Sequence, residues 1–349
     1  MTLVLNLLAW LPLINRLPES LLLILAAVIC AVVALGAVSV VALVAVWAER
    51  KVSAHMQCRL GPMEVGWHGI FQTAADGLKL FIKEDIIPAM ADKWLFIMAP
   101  AVVFSGALLA WAVLPLGPTW VPADLNIGVL YLLATSSLVA IGIIMAGWSA
   151  HSKWSLYGAM RTAAQFLSYE IPSALFLLPP VMAAGSLHLG TIVDGQQGGI
   201  LGVGNWYVWN PFCLIAFVCY YVSSLAETGR IPFDLPESES ELVAGFHAEY
   251  SGMRFAFFFM AEYADLFVVS AITTLLFLGG WHGPFGLHGT VIYILKVSAV
   301  IFVALWLRWT LPRLRIDQLM ATCWKFLIPL GLINILGAGL WLALTGDFQ

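Results

Sequence analysis

Apolar residues along this chain come in runs of about twenty, and the segments between them hold most of the charge. Eight runs are long enough to cross a bilayer, with approximate bounds 21–48, 94–116, 127–149, 163–184, 209–226, 255–278, 289–307 and 326–345. Trp47, Trp94, Trp111, Trp148, Trp209, Trp281, Trp306 and Trp341 fall near the run ends, where amphipathic rings favour the headgroup layer. The pattern predicts an all-α fold, a polytopic membrane helix bundle of about eight transmembrane helices. No repeat or low-complexity linker divides the chain, so 1–349 is expected to form a single membrane domain. Residues 1–15 are a short apolar stretch expected at the interface, without the basic start of a signal peptide.

Composition strengthens this picture. Hydrophobic residues are 61% of the 349 positions and charged residues 10%, against about 25% charged in an average soluble domain. Lipid must therefore solvate most of the chain. Lysine and arginine gather in alternate loops, at about 49–93, 150–162, 227–254 and 308–325, and are missing from the loops between. This positive-inside pattern predicts those four loops in the cytoplasm and both termini periplasmic, in a bacterial inner membrane, the alternative being an organellar one. The five cysteines form no paired motif and are expected to pack, and the seven histidines show no ligand spacing. No metal site, covalent catalyst, nucleotide loop or bound cofactor is expected of this chain.

Two cytoplasmic loops carry unusual chemistry. In the first, Trp67, Phe71, Ala74, Leu78 and Phe81 recur at helical steps, with Gln72, Asp76, Lys79 and Lys83 opposite them. That predicts an amphipathic surface helix, which on pattern alone is a plain anchor. Upstream, Arg59 enters a Gly61-Pro62 turn, where a guanidinium can orient a polar headgroup. The loop 227–254 is acidic, with Glu227, Asp234, Glu237, Glu239, Glu241 and Glu249 against Arg230 and Arg254. Asp234 suits a helix N-cap with Glu237 as its box partner; a helix from there would put Glu237 and Glu241 on one face, with Glu249 two turns on. Such an acidic stretch serves either as a solvated face docking a basic partner or as a set of exchanging acids.

The spans themselves hold Glu170, beside Pro172, and Glu262 with Asp265, which share a helix face. A charge at a span centre costs about 2.5–3.5 kcal/mol on insertion scales and faces a bundle interior or water. Desolvation and mutual repulsion make these carboxyls candidates for proton exchange near neutral pH. Pro172 is expected to break its helix, because its missing N–H strands the Ser168 carbonyl.

Several stretches resemble one family. They are Ala48-Glu49-Arg50-Lys51 through Gln57-x-Arg59-x-Gly61-Pro62; Gln72-x-x-x-Asp76-Gly77-x-Lys79-Leu80; Glu227-Thr228-Gly229-Arg230-Ile231-Pro232-Phe233-Asp234-Leu235-Pro236-Glu237; and Phe246-His247-Ala248-Glu249-Tyr250-Ser251-Gly252. Ser168-Tyr169-Glu170-Ile171-Pro172, Met260-Ala261-Glu262-Tyr263 and Pro312-Arg313-x-Arg315-x-Asp317-Gln318-Leu319-Met320 also match. The family is the quinone-site membrane subunit of respiratory complex I, called the H subunit in bacteria and subunit 1 in mitochondria.

The resemblance implies a non-catalytic subunit of a proton-translocating NADH:quinone oxidoreductase. It would enclose a quinone cavity with peripheral-arm subunits, among small membrane-arm partners. Quinone is then the substrate, with FMN and iron–sulfur clusters on the partner subunits. By motif match, Glu170, Glu227, Asp234, Glu237, Glu239, Glu241, Glu249 and Glu262 would form a proton path. Arg50, Arg59, Asp76, Lys79, Arg230 and Phe233 would lie near the quinone cavity. Met63 and Trp67 depart from the family's frequent Asn and Pro in the cavity-lining loop. Two rival readings stand beside this one: the membrane anchor of a related hydrogenase-type complex, and a standalone ion transporter.

Overall fold

The computed structural model describes residues 18–118, 120–199, 202–235, 239–284 and 288–346. The stretch 1–15, Glu237 and the Glu239 side chain lie outside what is described. The helices are α1 Glu19–Met56, α2 Gln72–Ile82, α3 Lys93–Val113, α4 Gly128–Ser149, α5 Lys153–Ala184, α6 Leu189–Asp194, α7 Pro211–Glu227, α8 Glu239–Leu242, α9 Gly252–Phe277, α10 Gly289–Thr310, α11 Ile316–Ala321 and α12 Ile328–Thr345. A π-helical stretch, Thr322–Leu327, joins α11 and α12 into one apolar rod. Seven helices among the described residues are long and apolar enough to span, and α7, with 17 residues, is a shorter apolar helix at the remaining expected run, 209–226. Every expected span is helical, and the described residues contain no strand.

Three expected loops are shorter than the charge pattern suggested. α1 continues through Glu49, Arg50 and Lys51 to Met56, α5 begins at Lys153 rather than after Arg161, and α11 takes up Ile316–Ala321 of the last loop. Charge marks where a helix leaves lipid, not where it stops. None of these extensions contains a proline, and continuing the helix keeps each backbone pair made.

α9 lies at the centre, buried along Leu266–Phe277 and packed by α3, α10, α1 and α7. Trp111, expected at the headgroup layer, is instead 3% exposed and stacks on Phe267 at 4.7 Å. Small residues let the other helices close up. A methyl group added at Gly147 of α4 would sit 2.1 Å from Ala159 Cβ on α5, and one at Gly142 would sit 2.5 Å from Val103 Cγ2 on α3.

Pro172 does not break α5, which runs unbroken to Ala184. The Ser168 carbonyl that it strands accepts the Cys323 S–H at 3.0 Å, and Tyr169 OH donates to the Leu319 carbonyl at 2.9 Å. Both partners come from the α11–π-turn region, so two helix irregularities satisfy one another. At the far end of α9, Lys296 of α10 donates to the carbonyls of Leu278 (2.5 Å), Gly280 (3.0 Å) and His282 (2.6 Å), and lies 4.0 Å over the Trp206 ring. This intramembrane lysine caps a helix C-terminus.

Gly147→Ala is expected to push α4 from α5 and destabilise the assembled protein by about 1–3 kcal/mol. Gly36→Ala, with nothing within 4 Å of the added methyl, should leave the thermal midpoint unchanged or raised. Parallel melting curves of the two detergent-purified variants check this contrast.

Candidate functional site

The site grows from one buried cation. Gln165 of α5 is itself buried, and its amide donates to the Ala226 carbonyl at 2.6 Å and the Phe233 carbonyl at 2.8 Å. Together with a bond from Leu314 N to the Pro232 carbonyl, this folds the chain after α7 back into the bundle and carries Arg230 inward. Arg230 is 2% exposed. Its Nη1 donates to Glu49 Oε2 at 2.8 Å, and its Nε lies 3.0 Å from Glu262 Oε1. Tyr263 OH donates to the same Glu49 oxygen at 2.8 Å, and the guanidinium lies 4.3 Å over the Tyr263 ring. Arg308 Nη1 reaches Glu49 Oε1 at 2.7 Å. Two guanidiniums thus face two carboxylates, with no net charge. Burial alone would lower the proton affinity of Arg230, but Glu262, Tyr263 and Glu49 outweigh it and raise the affinity above the ordinary guanidinium value.

From this knot a row of carboxyls runs into the bundle. Asp265, one turn along α9 from Glu262, is within electrostatic reach of Glu262 on one side and Glu227 on the other. Glu227 ends α7 within hydrogen-bond reach of Ser136 and within electrostatic reach of Glu170. Glu170 in turn accepts a hydrogen bond from Ser137. Glu227 and Asp265 line a cavity of about 60 Å³ with Ser136, Thr228 and Tyr220. A cavity that size has room for a few waters, and its otherwise apolar lining gathers the polar groups around Glu227 and Asp265. The chemistry available to such a row is proton relay by neighbouring carboxyls, since each one's affinity follows its neighbour's charge.

The quinone-side residues predicted from the motifs divide into two groups. Arg50 Nη1 lies 2.6 Å from Asp76 Oδ2, and Gln72 donates to the other oxygen of that carboxylate, so α1 and α2 are tied at an exposed face. Lys79 is exposed nearby on α2. Arg59 is exposed and donates to Gln57 at 2.6 Å. The apolar stripe of α2 is uncovered: Leu78 and Phe81 are 64% and 71% exposed. Trp67 precedes the helix in a 3-10 turn, so α2 is shorter than the stripe implied. Phe233 and Arg230 are buried instead, Phe233 against Tyr169 at 5.8 Å and Arg230 in the knot. Glu49 and Arg50, consecutive on α1, link the two groups: one faces the knot and the other faces Asp76.

The acidic loop is not the long helix that its carboxylates suggested. α8 spans four residues and ends where Val243 takes a positive φ of 68°; a 3-10 turn, Gly245–His247, follows. Glu241 and Glu249 therefore do not share a helix, and Asp234 precedes no helix that contains both. A β-branched residue in the left-handed region is a strained hinge that no helix passes through. Glu241 is held by Arg161 at 2.6 Å and Arg313 at 3.2 Å, and the Arg161 hydrogen bond keeps its carboxyl below the usual range. Glu249 is exposed. Asp234 sits within electrostatic reach of Glu262. His247, packed against the Phe246 and Phe255 rings, is pushed down to about 4 by burial and stays neutral.

Four residues of the knot and row have no place in the path or cavity that the motifs imply: Glu49, Arg308, Tyr263 and Asp265. Glu49 and Tyr263 lie inside the matching motifs, and Asp265 shares a face with Glu262, so a signal exists for each. Nothing in the sequence pairs Arg308 with a residue 259 positions away. Among the cysteines, Cys213, Cys219 and Cys323 pack as expected, whereas Cys58 is exposed. No group of three or more metal-ligating side chains occurs among the described residues.

Comparison with known proteins shows the family of the chain. Residues 28–339 match the family described as NADH dehydrogenase. The chain is 50% identical over 311 residues to the H subunit of NADH-quinone oxidoreductase from Chlorobaculum tepidum, covering 85% of this chain and 86% of that one. It is 47% identical over 320 residues to the first of the numbered H subunits of NADH-quinone oxidoreductase from Geobacter sulfurreducens, covering 86% and 90%. With the H subunit from Syntrophotalea carbinolica the identity is 47% over 337 residues, or 94% of this chain and 99% of that one. The chain belongs to the NADH dehydrogenase family, among the H subunits of NADH-quinone oxidoreductase.

Proposed function

We propose that this chain encloses the quinone cavity of a proton-pumping NADH:quinone oxidoreductase together with peripheral-arm subunits, and couples quinone reduction to proton translocation through its carboxyls. The observation that carries this reading is the succession Arg50, Glu49, Arg230, Glu262, Asp265, Glu227 and Glu170, in contact from Glu49 to Glu262 and within electrostatic reach beyond, from an exposed ion pair at α1 and α2 to a cavity inside the bundle. Its eight apolar helices and alternating basic loops support a bacterial inner-membrane location with both termini periplasmic. Flavin and iron–sulfur chemistry belongs to partner subunits in this scheme.

Quinone reduction takes up two electrons and two protons, and it creates negative charge before the protons arrive. Charge appearing near Arg50 competes for the guanidiniums of the knot. Glu49 is also held by Arg308, whereas Glu262 has Arg230 alone as its ion-pair partner among the described residues, so a shift of Arg230 toward Glu49 leaves Glu262 uncompensated and ready to bind a proton. Asp265, Glu227 and Glu170 then readjust in turn, because neighbouring titrations are coupled. Glu241, clamped by two arginines, positions the acidic loop in this reading and carries no proton; Asp234 joins the path beside Glu262. Lys79 and Arg59 face the quinone side with the open apolar stripe of α2.

Replacing Glu227 by Ala tests the reading directly: NADH:quinone reductase activity and pumping should fall at least tenfold, about 1.4 kcal/mol in barrier, while native gels show intact assembly. Near-parental turnover and pumping would show that the acids do not carry protons. Arg59→Ala should weaken quinone reduction through a raised apparent KM for a short-chain quinone, and an unchanged KM removes Arg59 from the cavity. Arg230→Ala leaves two carboxylates, Glu49 and Glu262, facing the single guanidinium of Arg308 and should cost about 3–5 kcal/mol. Adding Glu49→Gln to that variant should recover part of the loss, measured as the thermal midpoint of the assembled complex.

A further inference from the structure

The cavity at Glu227 and Asp265 has a neighbour toward the opposite face of the bundle. A second cavity, of about 240 Å³, is built from the α3–α4 and α5–α7 connections and Trp281, away from the acidic loop, and contains Asp124, His188 and Asp194. Among the described residues, Leu189 alone lines both cavities. Gly106 and Ala110 of α3 line the inner cavity, and Val113, next along the same face, lines the outer one. The two spaces therefore follow one helix face and are divided at Leu189. Leu189 is 4% exposed and rests on Gly128, where an added methyl would be 3.2 Å from Leu189 Cγ and 3.3 Å from Cδ1.

The outer cavity is equipped to receive a proton. His188 Nδ1 accepts from Thr191 N at 3.1 Å, which leaves Nε2 as the protonated nitrogen, and Nε2 lies 2.5 Å from Asp124 Oδ1. The Asp124 side chain is 69% exposed, so its carboxylate meets both the cavity and bulk water.

We propose that Leu189 is an apolar gate in a proton outlet of this protein, leading from the Glu227–Asp265 cavity to Asp124 on the face opposite the acidic loop. A closed leucyl plug excludes water, and its displacement joins two hydrated spaces. In the open state a proton leaves the Asp265 carboxyl, crosses on water, binds the Asp124 carboxylate and is released to bulk; Asp265 is left anionic for the next uptake. The proposal rests on the proton-path reading above and adds its exit.

The test uses the whole complex in proteoliposomes. Leu189→Ala should raise passive proton entry severalfold and lower the protons pumped per electron, while electron transfer from NADH continues. Asp124→Asn, an exposed change that leaves the core intact, should slow coupled turnover, with the deficit relieved by a protonophore. If the Leu189 variant does not assemble, the Asp124 variant decides alone. Parental leak, stoichiometry and protonophore response in these variants, beside a Glu227→Gln complex that has lost pumping, overturn the outlet and leave the acidic path standing. Full pumping by Glu227→Gln overturns the path itself.

Discussion

A guanidinium with 2% of its surface exposed must be compensated where it sits, and the region around the acidic loop is organised by that demand on Arg230. Its counter-charges come from two other helices, Glu49 from α1 and Glu262 from α9, while Arg308 from α10 completes the balance on Glu49. α1, α9 and α10 are thereby held at one depth by charge, which apolar packing in lipid does poorly. Between helices surrounded by hydrocarbon there is little hydrophobic drive, so close packing and polar pairs set the registry. Gln165 completes the constraint by fixing the turn that delivers Arg230.

A neutral knot is also responsive. Adding one negative charge on the Arg50–Asp76 side, or one proton on Glu262, leaves an odd charge in a region of low polarisability. Such a charge is far more costly there than in water, so the row of carboxyls beyond it has reason to change occupancy. The electrostatics that hold the knot together at rest are the same that would answer such a perturbation. Glu241 shows the contrast: it lies in an exposed setting, and its arginine partners hold its carboxyl below the usual range.

Irregular helix geometry concentrates beside this row. Pro172 frees the Ser168 carbonyl two residues before Glu170, and the π-helical stretch supplies the Cys323 thiol that satisfies it. Tyr169, the residue between them, bonds back to Leu319. The helix that carries Glu170 is thus locked against α11 and the π-turn in the turn that precedes the proline, without losing continuity. A buried carbonyl left unpaired here would cost about 1–3 kcal/mol, which the thiol of the π-helical stretch avoids.

Periodicity and composition alone determined the all-α membrane bundle, the place of each span and the presence of ionisable groups inside them. Bilayer thickness sets run length, and charge is excluded from hydrocarbon whatever the neighbours are. The helix ends around Lys153 and Ile316 were not legible, because a helix can leave lipid and continue. The acidic loop escapes the pattern for a related reason: Glu237, Glu241 and Glu249 fit a helical repeat, yet the chain turns at Val243. Glu49 and Arg308 are 259 positions apart, and their pairing belongs to no local pattern. Only the tertiary structure decided which carboxyls are paired, which face the inner cavity and which lie in solvent. Those outcomes depend on distances between helices, which a one-dimensional pattern does not contain.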